Sequence, residues 1–169
     1  MYRSTGTEKY SVQAYRDEEI YTAQIFASAM GGGMSSRLFQ ELREKRGLCY
    51  TVFAQAGAYA DTGMTTIYAG TSEADIRSLA EVTASELARA GRDISEQEVA
   101  RARAQMKAGL LMGLESPSSR AERLARLVSI WNRVPALEET VARVDAVSRD
   151  AVAAFARNLA GGELAVAFY

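Results

Sequence analysis

Hydrophobic residues between positions 72 and 160 recur every three or four residues, a spacing typical of amphipathic helices. The pattern predicts five helices, with approximate ranges 72–91, 95–115, 117–131, 135–144 and 148–159. Ser72 and Ser148 are suitable N-caps for two of them. Ser95 and Glu98 have the spacing of a capping box, and Pro117 suits a first helical turn. The second half of the chain is therefore predicted to be mostly helical.

The first half has a different pattern, in which predicted strands alternate with helices. Strands are predicted over 10–15, 48–59 and 64–71, and a further strand over 163–169 ends the chain. One helix is expected from Asp17 to the three glycines that begin at Gly31, and a second from Ser35 or Ser36 to about Lys45. Residues 60–63 predict a hairpin turn, because Asp and Gly suit turn positions. Strands 48–59 and 64–71 should therefore pair antiparallel.

This order of elements predicts an α+β fold with two layers, in which helices cover one face of a largely antiparallel sheet. Ile67 and Tyr68 should point to opposite faces of their strand, so apolar side chains are expected on both sides of the sheet. We expect helices on one side and an enclosed space on the other. The length fits a single domain over 1–169.

Composition narrows the classes of partner. Hydrophobic residues make up 48% of the chain and charged residues 24%, with a formal net charge of −1, so we expect no nucleic-acid partner. No apolar run reaches a membrane-spanning length, so no membrane partner is expected. The single cysteine, Cys49, suits a reducing compartment. We expect a soluble protein and favour the cytoplasm.

The chain contains no histidine. Zinc in proteins is bound mainly by His nitrogen and Cys sulfur, and one cysteine cannot supply a thiolate cluster. A site made only of carboxylates is uncommon for zinc. We therefore expect no metal in this chain, and we expect it not to hydrolyse peptides alone.

The segment from Gly31 to Tyr50 reads G-G-G-M-S-S-R-L-F-Q-E-L-R-E-K-R-G-L-C-Y. It resembles a segment of the M16 family of zinc metallopeptidases, which includes pitrilysin, insulin-degrading enzyme and the mitochondrial processing peptidase. Three further segments, 61–63, 68–71 and 114–124, look like the same family. The resemblance points to the C-terminal domain, which lacks the H-x-x-E-H zinc motif of the catalytic half. It departs at residues 1–13, which we interpret as a truncation, the end of an expressed fragment or a divergent segment.

The resemblance implies roles for five residues. Arg43 and Tyr50 match the arginine and tyrosine that reach towards the zinc of the other half, as a substrate clamp and an oxyanion donor. Without the motif, Arg43 would be interpreted as the partner of a nearby glutamate and Tyr50 as a half-buried sheet residue. Gly31, Gly32 and Gly33 match a glycine loop that faces the peptide channel. On sequence alone they also suit a tight turn or hinge, or an anion-binding loop.

The resemblance therefore implies part of a zinc metalloendopeptidase, inactive alone, that forms one wall of a peptide-binding chamber. Its partners would be an extended peptide substrate and a homologous zinc-bearing domain, in the same polypeptide or another subunit. Zinc would be held by that partner domain. Two other hypotheses stay open: a non-catalytic structural subunit of the M16-like core-protein type, and a peptide-binding module without catalysis.

Overall fold

The computed structural model describes residues 19–59, 63–162, 165 and 167. Over these residues it contains two strands, six α-helices and two short helices of other types. In chain order they are α1 (Ile20–Gly31), a π-helix (Phe39–Glu44), β1 (Thr51–Ala58), β2 (Gly63–Gly70), a 3₁₀ turn (Glu73–Asp75), α2 (Ile76–Asp93), α3 (Glu96–Gly113), α4 (Pro117–Trp131), α5 (Leu137–Ala146) and α6 (Arg149–Ala160). The predicted strands over 10–15 and 163–169 and the predicted turn at 60–62 lie outside the described residues, apart from 165 and 167.

The two described strands form an antiparallel hairpin, as predicted, with Phe53 opposite Tyr68 and Ala54 opposite Ile67. Side chains alternate between two faces along each strand. Val52 is buried on the helix-facing side. Phe53 and Tyr68 lie on the other side, where their rings stack with centroids 5.1 Å apart. We call this second side the outward face of the hairpin.

The core lies between the hairpin and the helices, with α1 at its centre. Ile25, Phe26 and Met30 are fully buried because α1 contacts β1, α3 and α6. The ring of Phe26 meets that of Phe155 edge-on, with centroids 5.3 Å apart. Helices therefore cover one face of the antiparallel hairpin, which confirms the predicted α+β class.

Two helices differ from their predictions. The helix after the glycines is a π-helix, in which Lys45 N–H donates to the Gln40 carbonyl at 3.0 Å, and the buried Ser36 hydroxyl has no partner and does not cap it. Helix α2 begins at Ile76 after a 3₁₀ turn, and Ser72 does not cap it, because the Ser72 hydroxyl donates to the Asp75 carboxylate instead. The helix continues past Gly91, which is buried against α6, to Asp93. None of the described helices combines the length and apolarity needed to cross a membrane.

Candidate functional site

The π-helix sets the position of Arg43. Its guanidinium carbon lies 4.7 Å from the centroid of the Phe39 ring, a cation–π contact along one side of the helix. The Arg43 side chain is 45% exposed and pairs with Glu44 only at 3.9 Å. Such an exposed and distant ion pair contributes little to stability. The Arg43 guanidinium is therefore packed against the Phe39 ring and remains accessible to solvent.

Gly47 makes the turn between the π-helix and β1. Its φ is +65°, in the left-handed region that favours glycine, although a Cβ there would meet nothing within 4 Å. The Leu48 N–H donates to the Leu42 carbonyl at 2.8 Å, and the Thr71 hydroxyl donates to the Leu48 carbonyl at 2.6 Å. The turn is thus tied both to the helix before it and to the end of β2.

Tyr50 follows this turn and is 70% exposed, whereas its neighbour Cys49 is buried. Burial raises the pKa of the Cys49 thiol, and the positive charge of Arg43 opposes part of that rise. Cys49 itself packs in the core, and the sequence contains no histidine that could activate it as a catalytic thiol.

The three glycines have different surroundings. Gly31 is buried, and a Cβ there would lie 2.2 Å from the backbone nitrogen of Ala54 in β1. Gly32 is exposed and its N–H donates to the Ser28 carbonyl at 2.8 Å. Gly33 is exposed with a φ of +150°. Gly31 therefore allows α1 to contact β1, and the solvent-accessible part of the loop is Gly32 and Gly33.

Arg37 was not singled out by the sequence analysis, yet it anchors this segment. Its side chain is only 9% exposed and forms ion pairs with Asp93 at the end of α2 and Glu98 at the start of α3. Burial alone would raise the pKa of Glu98, but hydrogen bonds from Arg37 and Ser95 outweigh it and lower that pKa. The capping box could be recognised in the sequence and includes Glu98. No sequence pattern linked Glu98 to Arg37, which lies 61 residues away in the chain.

The described residues do not fit a zinc site. No group of three or more acidic or cysteine side chains among them is arranged to hold a metal, and the whole sequence has no histidine.

Comparison with solved structures supports the fold. A chain of complex III from Candida albicans superposes with a TM-score of 0.78 at 22% identity, covering 86% of this chain and 37% of that one. A protease from Helicobacter pylori gives a TM-score of 0.69 at 21% identity, covering 86% of this chain and 35% of that one. At these identities the likeness concerns the fold alone.

Sequence comparison identifies the family. An uncharacterized zinc protease of Streptomyces coelicolor is 34% identical over 149 residues, which are 88% of this chain and 32% of that protein. The chain thus spans about a third of the length of this relative. Residues 6–106 match the model of the peptidase M16 inactive domain. The chain therefore belongs to the M16 peptidase family, as an inactive domain of the kind found in zinc protease-like proteins.

Proposed function

We propose that this domain is the C-terminal, non-metal part of a zinc endopeptidase. It would pair with a homologous zinc-bearing domain, in the same polypeptide or in another subunit. The two would enclose a chamber that holds an extended peptide. Relatives that are named zinc proteases and more than twice as long as this chain support the proposal, because they contain sequence enough for a second such domain.

The observation that carries the proposal is the exposure of Arg43 and Tyr50 beside the buried residues that attach the same motif to the core. Leu38, Leu42 and Cys49 of this segment are buried, and they account for its packing in the core. Tyr50 is 70% exposed and Arg43 forms only a long ion pair. Neither side chain has an evident role in holding the domain together, so both are available to a ligand.

In the proposed role, Arg43 and Tyr50 act on the bound peptide. The guanidinium of Arg43 presents a planar set of N–H donors that can hold a peptide carbonyl. The hydroxyl of Tyr50 can donate to the carbonyl oxygen as this oxygen gains negative charge during hydrolysis. The accessible glycines, Gly32 and Gly33, would contribute backbone contacts to the same peptide. Zinc bound in the partner domain would supply the metal chemistry of the reaction.

The test is peptide cleavage by the full-length protein with its zinc-bearing domain, using a quenched, unstructured peptide. Tyr50→Phe removes only the hydroxyl, and loss of one oxyanion donor typically lowers turnover by about 100- to 1000-fold. Tyr59→Phe is the matched control, because Tyr59 is also exposed, at 53%, but lies at the far end of β1. Full turnover in a folded, assembled Tyr50→Phe variant would overturn the role of Tyr50.

The second candidate function is a structural subunit without catalysis. We retain it because the fold resembles that of a chain of complex III. The same experiment separates the two. Chelator-sensitive cleavage that requires this domain supports the peptidase. A stable complex that contains no zinc and cleaves nothing supports the structural subunit.

A further inference from the structure

Gly70, the last residue of β2, lies beneath the ring of Tyr50. The Tyr50 N–H donates to the Gly70 carbonyl at 3.0 Å, and Thr51 is the register partner of Gly70. A Cβ built on Gly70 would lie 2.3 Å from Cζ, 2.5 Å from the hydroxyl oxygen and 2.7 Å from Cε1 of Tyr50. The phenol end of the ring therefore rests directly on the bare Cα of this glycine.

The backbone conformation of Gly70 gives no other reason for a glycine. Among the described residues, only Gly33 and Gly47 are glycines with positive φ. A glycine inside a strand weakens the sheet, and it often marks a place where another group must come close. Here that group is the ring of Tyr50, which covers Gly70 so that the glycine is buried while the tyrosine is mostly exposed.

We infer that Gly70 is a positioning residue for Tyr50: its missing side chain provides the seat that fixes the phenol hydroxyl over the end of the hairpin. Any larger residue would have to displace the ring, because heavy atoms do not approach a Cβ to 2.3 Å. The ring would have to move by about 1 Å or more, and a displacement of that size at a reacting group can cost about 100-fold in rate. This consequence for catalysis rests on the proposed function; the seat itself does not.

The contact between Tyr50 and Gly70 is tested first by measuring stability, which does not depend on catalytic activity. Gly70→Ala is compared in the full-length protein with Tyr50→Ala and with the double variant by urea unfolding. We expect Gly70→Ala to be less favourable with Tyr50 present than once Tyr50 is alanine, by a small amount, because the colliding atoms are the exposed end of a side chain that can move away. Gly57→Ala is the control, because a Cβ at Gly57 meets only the Met64 carbonyl oxygen, at 3.8 Å.

If Gly70→Ala does not fold, recovery of folding in the double variant supports the seat. Equal destabilisation in both backgrounds, or a double variant that also fails to fold, overturns it.

The effect on the reaction is tested by peptide cleavage with the same variants. Gly70→Ala should lower kcat by at least about tenfold, and it should add nothing to Tyr50→Phe, because both changes act through one hydroxyl. Wild-type kcat in Gly70→Ala, or a full additional loss on top of Tyr50→Phe, overturns the positioning role. If the wild-type protein cleaves no peptide, the proposed function fails, while the unfolding cycle still decides whether Gly70 seats Tyr50.

Discussion

Arg37 donates two hydrogen bonds to the carboxylate of Glu98, from Nε and from Nη2, each 3.0 Å long. The pair joins the start of the π-helix to the first turn of α3, and Asp93 at the end of α2 adds a further ion pair. Planar, bidentate pairs of this type combine strength with a defined orientation. The segment that carries Arg43 is therefore attached to the helical layer through Arg37.

Replacing Arg37 should destabilise the domain. Arg37→Met keeps most of the apolar stem but leaves Glu98 without its charged partner. We expect the free energy of unfolding to fall by about 2 kcal/mol, since a hydrogen bond to a charged group contributes about 1.5–3 kcal/mol to stability. Urea unfolding followed by circular dichroism measures the change. Arg133→Met is the control, because the bidentate pair of Arg133 with Glu139 is exposed and should contribute little. Equal effects of the two substitutions would contradict the prediction.

The same pair predicts a dependence of stability on pH. Burial favours a raised pKa for Glu98, but its hydrogen bonds from Arg37 and Ser95 lower the pKa below its ordinary 4.5. The unfolded chain then binds more protons than the folded chain at acidic pH, so stability is lost as the pH falls below about 4.5. Arg37→Met should reduce this acid loss, because the main cause of the lowered pKa is removed. Unfolding free energies at about pH 7 and about pH 3.5 test it; identical pH slopes in the two proteins would exclude Arg37 as the cause.

Two helical glycines should respond oppositely to alanine. A Cβ on Gly91 would lie 2.7 Å from Cγ and 3.2 Å from the backbone nitrogen of Arg157 in α6, so Gly91→Ala should destabilise by about 1–3 kcal/mol. A Cβ on Gly109 would meet nothing within 4 Å, so Gly109→Ala should stabilise by about 0.5–1 kcal/mol through helix propensity. Thermal and urea unfolding measure both. A stabilising Gly91→Ala would mean that α2 and α6 are less closely packed than described.

Phe39 should matter for activity through its contact with Arg43. Phe39→Leu removes the ring beneath the guanidinium, and an exposed cation–π contact contributes about 0.5–1 kcal/mol. If Arg43 binds the peptide as proposed, kcat/KM of the assembled enzyme should fall by about two- to fivefold. Phe39→Tyr keeps a ring and should retain most activity. Equal losses in the two variants would show that the ring is not what supports Arg43.

Much of the helical architecture followed from local sequence signals. The capping box of Ser95 and Glu98 and the cap at Ser148 are present where expected, because each joins residues only three apart. The cap expected at Ser72 is absent. The alternating pattern placed Ile67 and Tyr68 on opposite faces of the hairpin, since side chains in a strand alternate. Arg43 and Tyr50 were identified by resemblance to a family, and their exposure is what the structure adds.

Within the described residues, the sequence alone predicted the helices, the two strands and their pairing in a hairpin, because these depend on neighbouring residues; the absence of histidine is a fact of composition. Only the tertiary structure revealed the π-helix that contains Arg43, the hydrogen bonds from Arg37 to Glu98 and the contact of the Tyr50 ring with Gly70. Gly91 shows the same limit, since it reads as a helix end but lies inside α2. Apart from the π-helix, each of these features depends on contacts between residues distant in the chain, and periodicity along the sequence carries no information about such contacts.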